Sequence, residues 1–501
     1  MHCRKKLVWW KSLSITSTRV TGILADLRGF KRSAAKAPAT QSKNNKISNT
    51  NLYSHDRTPY SSCLTLSSLF SSVSSAVSCL FKSLSAITRP IPVICVLSAL
   101  LLCCSVFQGT VAAEVIPGID ILTRHNFDLL QGKRVGLITN NTGRSLNGTS
   151  SIDLLASAPG VQLVALFSPE HGIRGDSDVK LSSSLDKRTG LPIYSLYGKS
   201  CRPTPEMMTG IQALVFDIQD VGSRFYTYIG TLHHALLAAK QQGIPLVVLD
   251  RPNPLGGLTV EGAVPDAGEI SRRIAADKTG CRSLTVTHPI PTRHGLTVGE
   301  LARLINVEAG INANLQVVLM EGWKRELLWQ DTGLPWINPS PNMKDPVAAL
   351  LYPGFGPLEA TNLSVARGTD KPFHKYGAPW LDSAAVLKQM PNLAGLKFSA
   401  TSFTPTAPGH HYQGKLCHGI EVTITDLKTA NLPLAGLYLT QAIYRAHPKQ
   451  YRVAGGFYGM LGDNGAWKLL TAGATPPEQV MARWQGGIEL FKKLREKYLL
   501  Y

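Results

Sequence analysis

Apolar and polar positions are most regularly ordered between Ala213 and Asn253, ALVFDIQDVGSRFYTYIGTLHHALLAAKQQGIPLVVLDRPN. Ala213 to Ile218 is a short apolar run that gives way to acid at Asp217 and Asp220. Tyr226 to Gln242 then places Tyr228, Leu232, Ala235, Leu236 and Ala239 at helical spacing. Gly243 and Pro245 stop that helix before a second apolar run, Leu246 to Leu249. Strand, loop, helix and strand in this order predict a crossover between parallel strands, hence an α/β sheet with helices on its faces. In such sheets the loops after the carboxyl ends of the strands build the ligand crevice. Here they hold Asp217, Asp220, Arg224, Asp250, Arg251 and Asn253.

The same signals recur upstream. Arg134 to Thr139 reads as a strand ending at Asn140, Asn141 and Gly143, and Ser150 to Ala158 as a short amphipathic helix opened by a serine. Gln162 to Phe167 reads as a strand that runs into SPEHGIRGD and delivers Glu170, His171 and Arg174 on a glycine-containing loop. Four strands thus discharge polar residues at one end, which argues for one shared site.

Downstream, residues 267–282, with Arg272, Arg273, Lys278 and Arg282, read as a polar insertion forming a surface loop. Thr297 to Asn306 carries a capping box, Thr297 with Glu300, and Asn314 to Leu319 is a strand. TGLPWINPSPNM, which contains Asn342, has too many prolines for a helix or a central strand. It is a loop, either a binding element or the linker where the chain crosses near residue 330 into a second domain. Beyond Tyr352 to Gly356 lies a polar cluster of Glu359, Thr361, Asn362, Arg367, Gly368, Thr369 and His374. Leu416 to Thr425 reads as a strand, and Pro433 to Arg445 and Glu478 to Lys497 as amphipathic helices.

Length and charge refine this picture. A chain of 501 residues suggests two domains after a leader. The net charge of +19 resembles a nucleic-acid signal, but +12 of it belongs to residues 1–113 and only +7 to the rest, so no nucleic-acid partner is implied. Residues 1–90 read as a disordered leader or a misassigned start. Residues 91–113 read as the hydrophobic region and cleavage site of a signal peptide, since the apolar run Ile91 to Phe107 falls short of the roughly 20 residues of a spanning helix. Val111 and Ala113 then place cleavage before Glu114, so the expectation is an exported protein, periplasmic or secreted, with no membrane part after cleavage; an uncleaved anchor is the alternative. Cys201, Cys281 and Cys417 are the cysteines outside the leader, and they allow at most one bridge.

Several chemistries lack their motifs. GxGxxG after the first strand, GxxxxGK[ST], HExxH and GxSxG are all absent, and Glu170-His171 with Asp217 and Asp220 matches no standard metal set. No cofactor and no metal are expected. A carboxylate site remains: glycoside hydrolysis uses one carboxylic acid to protonate the leaving oxygen and a second group to activate water, attack, or steady an acetamido substituent. Glu170, after an apolar strand and Pro169, is the candidate acid, and Asp217 or Asp220 the second group; either Asp also suits a turn acceptor. His171 fits a catalytic role or an orienting hydrogen bond, and Tyr226 and Tyr228 fit sugar stacking or core packing.

SPEHGIRG, FDIQDVGSRFYTY, LDRPNPLGG, PTRHGLTVGELA, TGLPWINPSPNM, YPGFGPLEATNLSVARGT and PFHKYGAPW occur in order from about Gly118 to the C-terminus. With them the chain resembles the NamZ-type exo-β-N-acetylmuramidases. The resemblance implies a Rossmann-like catalytic domain over 118–330, a smaller α+β domain over 331–501 and an active-site cleft between them. It implies release of N-acetylmuramic acid from the non-reducing end of peptidoglycan fragments, in cell-wall turnover or recycling, with muramyl oligosaccharides as partners. Carried over residue by residue, it makes Glu170 catalytic and gives roles to Asp217, Asp220, Arg224 and Tyr226. For the lactyl carboxylate of the sugar, Arg367 is the nominated partner, with Arg224 and Arg251 as rivals, since an arginine fork suits a carboxylate. Asn140, Tyr228, Asn253, Asn342, Glu359 and Thr369 complete the expected substrate-binding set. A non-catalytic muramyl-sugar binding protein and a different wall hydrolase, an amidase or carbohydrate esterase, are the alternatives.

Overall fold

The computed structural model describes residues 114–173, 184–277, 279–281, 284–472 and 475–501. The leader, the signal-peptide region, Arg174, Lys278 and Arg282 lie outside the described residues.

In chain order the N-terminal half contains α1 (Gly118–Arg124), β1 (Arg134–Thr139), α2 (Ser151–Ser157), β2 (Gln162–Ser168), β3 (Ser184–Leu185), β4 (Pro192–Ser195) and β5 (Ala213–Asp217). There follow α3 (Tyr228–Gln242), β6 (Leu246–Leu249), α4 (Ala267–Ala276), α5 (Val298–Glu308) and β7 (Leu315–Val318). The seven strands form one sheet in the order β3-β4-β2-β1-β5-β6-β7. Every pair is parallel except β3 with β4. The order builds outward from β1 in both directions, so the chain after β1 and the chain after β5 lead to helices on opposite faces of the sheet.

The central strands are buried on both faces, and their alternation sorts side chains between two cores. Val135, Leu137, Ala213, Val215, Val247 and Leu249 pack with Ile119 and Leu122 of α1 and Ile152 and Leu155 of α2. Ile138, Leu214, Phe216, Leu246 and Val248 pack on the other face with Leu232, Leu236, Leu301 and Ile305 of α3 and α5. Because the side-chain period of a strand is two, a one-residue slip would exchange the two cores, which fixes the register.

The C-terminal half contains α6 (Pro346–Phe355), β8 (Lys375–Ala378), α7 (Ser383–Gln389), β9 (Leu396–Phe403), β10 (Cys417–Ile424) and α8 (Leu432–Ala446). The short helices α9 (Gly455–Leu461), α10 (Ala466–Thr471) and α11 (Pro477–Ala482) precede α12 (Gln485–Arg495). β8, β10 and β9 make an antiparallel sheet. Its Tyr376 and Ile420 belong to the same hydrophobic cluster as Phe216 and Leu232 of the first half. The fold is therefore mixed α/β, with a mostly parallel central sheet and a smaller antiparallel one.

Two elements differ from the expectation. Residues 267–276 form a helix instead of a loop, because Asp266 caps it by accepting from the Glu269 N–H and Ile270 buries against the body. The helix expected over Glu478 to Lys497 is split into α11 and α12 at Arg483 and Trp484, where Trp484 turns inward and its indole N–H donates to Asp463 Oδ2 at 2.9 Å. Among the described residues Cys201 and Cys281 form a disulfide, and Cys417 is a buried free thiol.

Candidate active site

The loop after β2 carries Glu170, half-buried, whose Oε2 accepts a hydrogen bond from Thr227 Oγ1 at 2.6 Å. The two residues after it hold left-handed backbone, His171 at φ 72° and Gly172 at φ 81°. A non-glycine residue in that region is strained, and such residues concentrate at functional sites.

The loop after β5 is wired to the loop after β1. The Gln219 N–H donates to Thr142 Oγ1 at 2.9 Å, and Thr142 in turn donates from its N–H and hydroxyl to Asn140 Oδ1. Gly222 holds φ 79°, and a Cβ there would collide with Asn253 Oδ1. That same oxygen accepts from the Leu255 N–H at 2.9 Å, and Asn253 Nδ2 donates to Leu296 O at 2.9 Å, so Asn253 braces the turn.

The two aspartates of this loop have opposite environments. Asp217 is fully buried, and both of its oxygens are held by Arg251: Nε to Oδ1 at 2.6 Å and an NH2 group to Oδ2 at 2.9 Å. Asp220 is also buried, and among the described residues no cation pairs with it. Its Oδ2 accepts from the Gly222 N–H at 2.7 Å, and its Oδ1 has no hydrogen-bond partner among the described residues. Burial pushes its pKa up to about 7, against the lowering effect of the backbone N–H.

Three tyrosines form a cluster next to this loop. Tyr226 and Tyr228 meet edge to face with ring centroids 4.9 Å apart, and Tyr226 meets Tyr352 in the same way at 6.0 Å. Burial raises the Tyr226 hydroxyl pKa, Ser340 beside it works against that, and Glu170 and Asp220 raise it further, which places both carboxyls within electrostatic reach of one phenol. Among the described residues its hydroxyl has no hydrogen-bond partner. The Tyr228 hydroxyl, raised chiefly by burial, accepts from Asn140 Nδ2 at 2.8 Å and donates to Pro339 O at 2.6 Å. Tyr228 therefore ties the loop after β1 to the proline-rich loop.

From Tyr352 the network continues into the C-terminal half. Its hydroxyl donates to Glu359 Oε1 at 2.6 Å, and Arg367 donates to Glu359 Oε2 at 2.6 Å while its guanidinium lies 5.1 Å from the centroid of Phe373. Asn342 Oδ1 accepts from the Gly368 N–H at 2.9 Å, which fixes the loop carrying Arg367, and Thr369 folds its hydroxyl back onto Ala366 O at 2.8 Å.

The structure thus brings Glu170, Asp220, Tyr226 and Tyr228 together, with Asn140 behind Tyr228, and links them through Tyr352 to Glu359 and Arg367. It pairs Asp217 with Arg251, uses Asn253 and Asn342 to hold loops, and sends Arg224 elsewhere. The Arg224 guanidinium is buried against the C-terminal end of α9, donating to Gly459 O at 3.0 Å and Met460 O at 2.7 Å. Burial, and then the nearby Arg273, lower its pKa. Thr227, Ser340 and Tyr352 were not singled out from the sequence. Thr227 reads there as one more residue of the helix start, Ser340 as a loop residue and Tyr352 as part of an apolar run. Among the described residues, no group of three or more His, Cys, Asp or Glu is placed to hold a metal ion.

Comparison with known proteins bears on this arrangement. Residues 135–347 match the family model described as exo-β-N-acetylmuramidase NamZ, N-terminal, and residues 350–501 match its C-terminal counterpart. The chain is 42% identical over 393 residues to the peptidoglycan β-N-acetylmuramidase NamZ of Bacillus subtilis (strain 168), a match covering 77% of this chain and 92% of the relative. Two crystal structures of DUF1343 family proteins from Bacteroides fragilis NCTC 9343 are similar in fold. One has a TM-score of 0.68 at 36% identity, covering 78% of this chain and 99% of its own. The other has a TM-score of 0.61 at 30% identity, covering 77% and 99%.

Proposed function

The chain belongs to the NamZ family of exo-β-N-acetylmuramidases, and on that premise we propose that it is a peptidoglycan glycoside hydrolase releasing N-acetylmuramic acid from the non-reducing end of wall fragments. The observation that carries the site assignment is Glu170 at the carboxyl end of β2, bound at 2.6 Å by Thr227 Oγ1, which stands between Tyr226 and Tyr228 of the loop and helix after β5. Glu170 gives its proton to the glycosidic oxygen as the C1–O bond breaks, and the departing sugar keeps the bonding electron pair. Water supplies the new oxygen at C1 and sheds a proton. Asp220 is the second carboxyl: its Oδ1 is uncommitted and its pKa near 7 lets it hold or release a proton at neutral pH, whereas both oxygens of Asp217 are locked on Arg251. Arg367, backed by Glu359, is the partner for the lactyl carboxylate.

In this reading the site lies in a cleft between a Rossmann-like domain over 118–330 and the smaller domain over 331–501. The protein acts after export and cleavage before Glu114. The Cys201–Cys281 bridge supports export, since disulfides persist in oxidising compartments. Mass spectrometry of the mature N-terminus tests this, and peptides from residues 1–80 in the secreted protein would overturn it.

The direct test is product analysis of a muramyl-(β1,4)-N-acetylglucosamine disaccharide treated with the wild type and with Glu170→Gln. Free N-acetylmuramic acid from the wild type, and a folded variant slower by several powers of ten, are expected. Equal release by both proteins would move the acid to another carboxyl. Release by neither, with binding intact, would favour a muramyl-sugar binding protein.

A further inference from the structure

We propose that Thr227 is a positioning residue that fixes which oxygen of Glu170 presents the transferable proton. The inference rests on the reading of Glu170 as the acid. Thr227 stands at the N-cap of α3, where a threonine hydroxyl ordinarily accepts from a backbone N–H of the first turn. Here the residue has helical backbone, φ −67° and ψ −14°, and its hydroxyl makes no capping bond. It points instead at Glu170, 57 residues earlier, and donates to Oε2 at 2.6 Å.

The donor is held far more firmly than the acceptor. Threonine is stiff at χ1 because it is β-branched. Its carbonyl is engaged by the Thr231 N–H at 3.0 Å and the Thr231 hydroxyl at 3.3 Å, and its neighbour Tyr228 is anchored by Asn140 and Pro339. Glu170, by contrast, stands near the start of the loop after β2, followed at once by two left-handed residues, and its side chain has three rotatable bonds of its own.

A hydroxyl has one proton to give. Donated to Oε2, it makes Oε2 the accepting oxygen and leaves Oε1 to carry the acidic proton. When the Oε1–H bond breaks and the proton passes to the glycosidic oxygen, the carboxylate left behind has its charge on an oxygen already facing a donor, at the positive end of a 15-residue helix. The bond strengthens as that charge develops, so it acts on the chemical step more than on substrate binding.

The test compares kcat and KM for Thr227→Val, Thr227→Ser and Glu170→Gln on the same disaccharide, with circular dichroism to establish folding. Thr227→Val is expected to lower kcat about 10- to 100-fold, the scale of a misplaced catalytic group, with KM essentially unchanged. Thr227→Ser restores most of the rate. In a Glu170→Gln background, Thr227→Val adds nothing, because its effect runs through that carboxyl. Should the valine variant not fold, Thr227→Ala carries the same comparison. A wild-type kcat in Thr227→Val alongside an inactive Glu170→Gln overturns the positioning role and leaves the acid in place. A loss confined to KM, or one that serine does not rescue, also overturns it. Full activity of Glu170→Gln removes the acid reading itself, and this inference with it.

Discussion

Asp220 titrates against the grain of a soluble carboxylate, and that has a measurable consequence for stability. Its carboxyl moves from an ordinary 3.8 to about 7 because burial penalises the charged form. Converted at 1.36 kcal/mol per pKa unit, this corresponds to about 4 kcal/mol. The native state then binds more protons than the unfolded chain between pH 3.8 and about 7, so this contribution to stability is fully present below that window and is lost as pH rises through it. Asp220→Asn removes the titration. Its amide oxygen can still accept from the Gly222 N–H, and its NH2 group falls where Oδ1 has no partner, a burial cost of about 1–3 kcal/mol that does not change with pH. Urea unfolding of both proteins from pH 4 to pH 8 gives the difference directly. Wild type minus variant should fall by about 4 kcal/mol as pH rises through the window, leaving the variant relatively favoured at pH 8. Other groups shape each curve separately. His234, lowered to about 4, and His288 and His294, each lowered to about 3, add stability as pH rises towards 6.5, and Asp250, raised to about 6, removes it. These are common to both proteins and cancel in the difference. Parallel curves for wild type and Asp220→Asn would refute the reasoning, showing that the buried carboxyl is solvated or paired in solution.

Two further outcomes are expected. Asp217→Ala leaves the Arg251 guanidinium buried without its carboxylate, so chemical denaturation should show a loss of about 3–5 kcal/mol. A loss under 1 kcal/mol would mean that water reaches the pair. Replacing Cys201 and Cys281 together by serine frees a loop of sequence separation 80. It should lower unfolding stability by roughly 2–4 kcal/mol, with muramidase activity retained at temperatures where the variant is folded. Dithiothreitol should act on the wild type in the same direction, and unchanged stability under both treatments would show that the bridge does not constrain the chain.

What was legible in the chain is what depends on neighbours a few residues apart. Strand runs such as Ala213–Asp217 and Leu246–Leu249 and the helix between them follow from periods of two and 3.6, and the Thr297 capping box closes within three residues. The strand ends that carry Glu170, Asp217 and Asp220 were legible for the same reason, as was the family through its ordered motifs. The helix of residues 267–276 does carry a helical signal, Ile270 and Ile274 four residues apart with Asp266 at the N-cap, but two isoleucines are outweighed by the charged residues around them.

Which polar groups meet was decided by the tertiary structure alone. Asp217 and Asp220 are three residues apart and look equivalent in sequence. One meets Arg251 from the next strand end, 34 residues on, and the other meets a backbone N–H, with its second oxygen unpartnered among the described residues. Arg224 looks like a substrate fork until α9, 235 residues later, brings its terminal carbonyls to it. Thr227 reads as one more residue of the helix start until the loop after β2 brings Glu170 to its hydroxyl. A hydrogen bond or an ion pair depends on distance and burial, and across such separations only the packed chain sets either one; the sequence by itself determined the residues on offer and the elements that carry them.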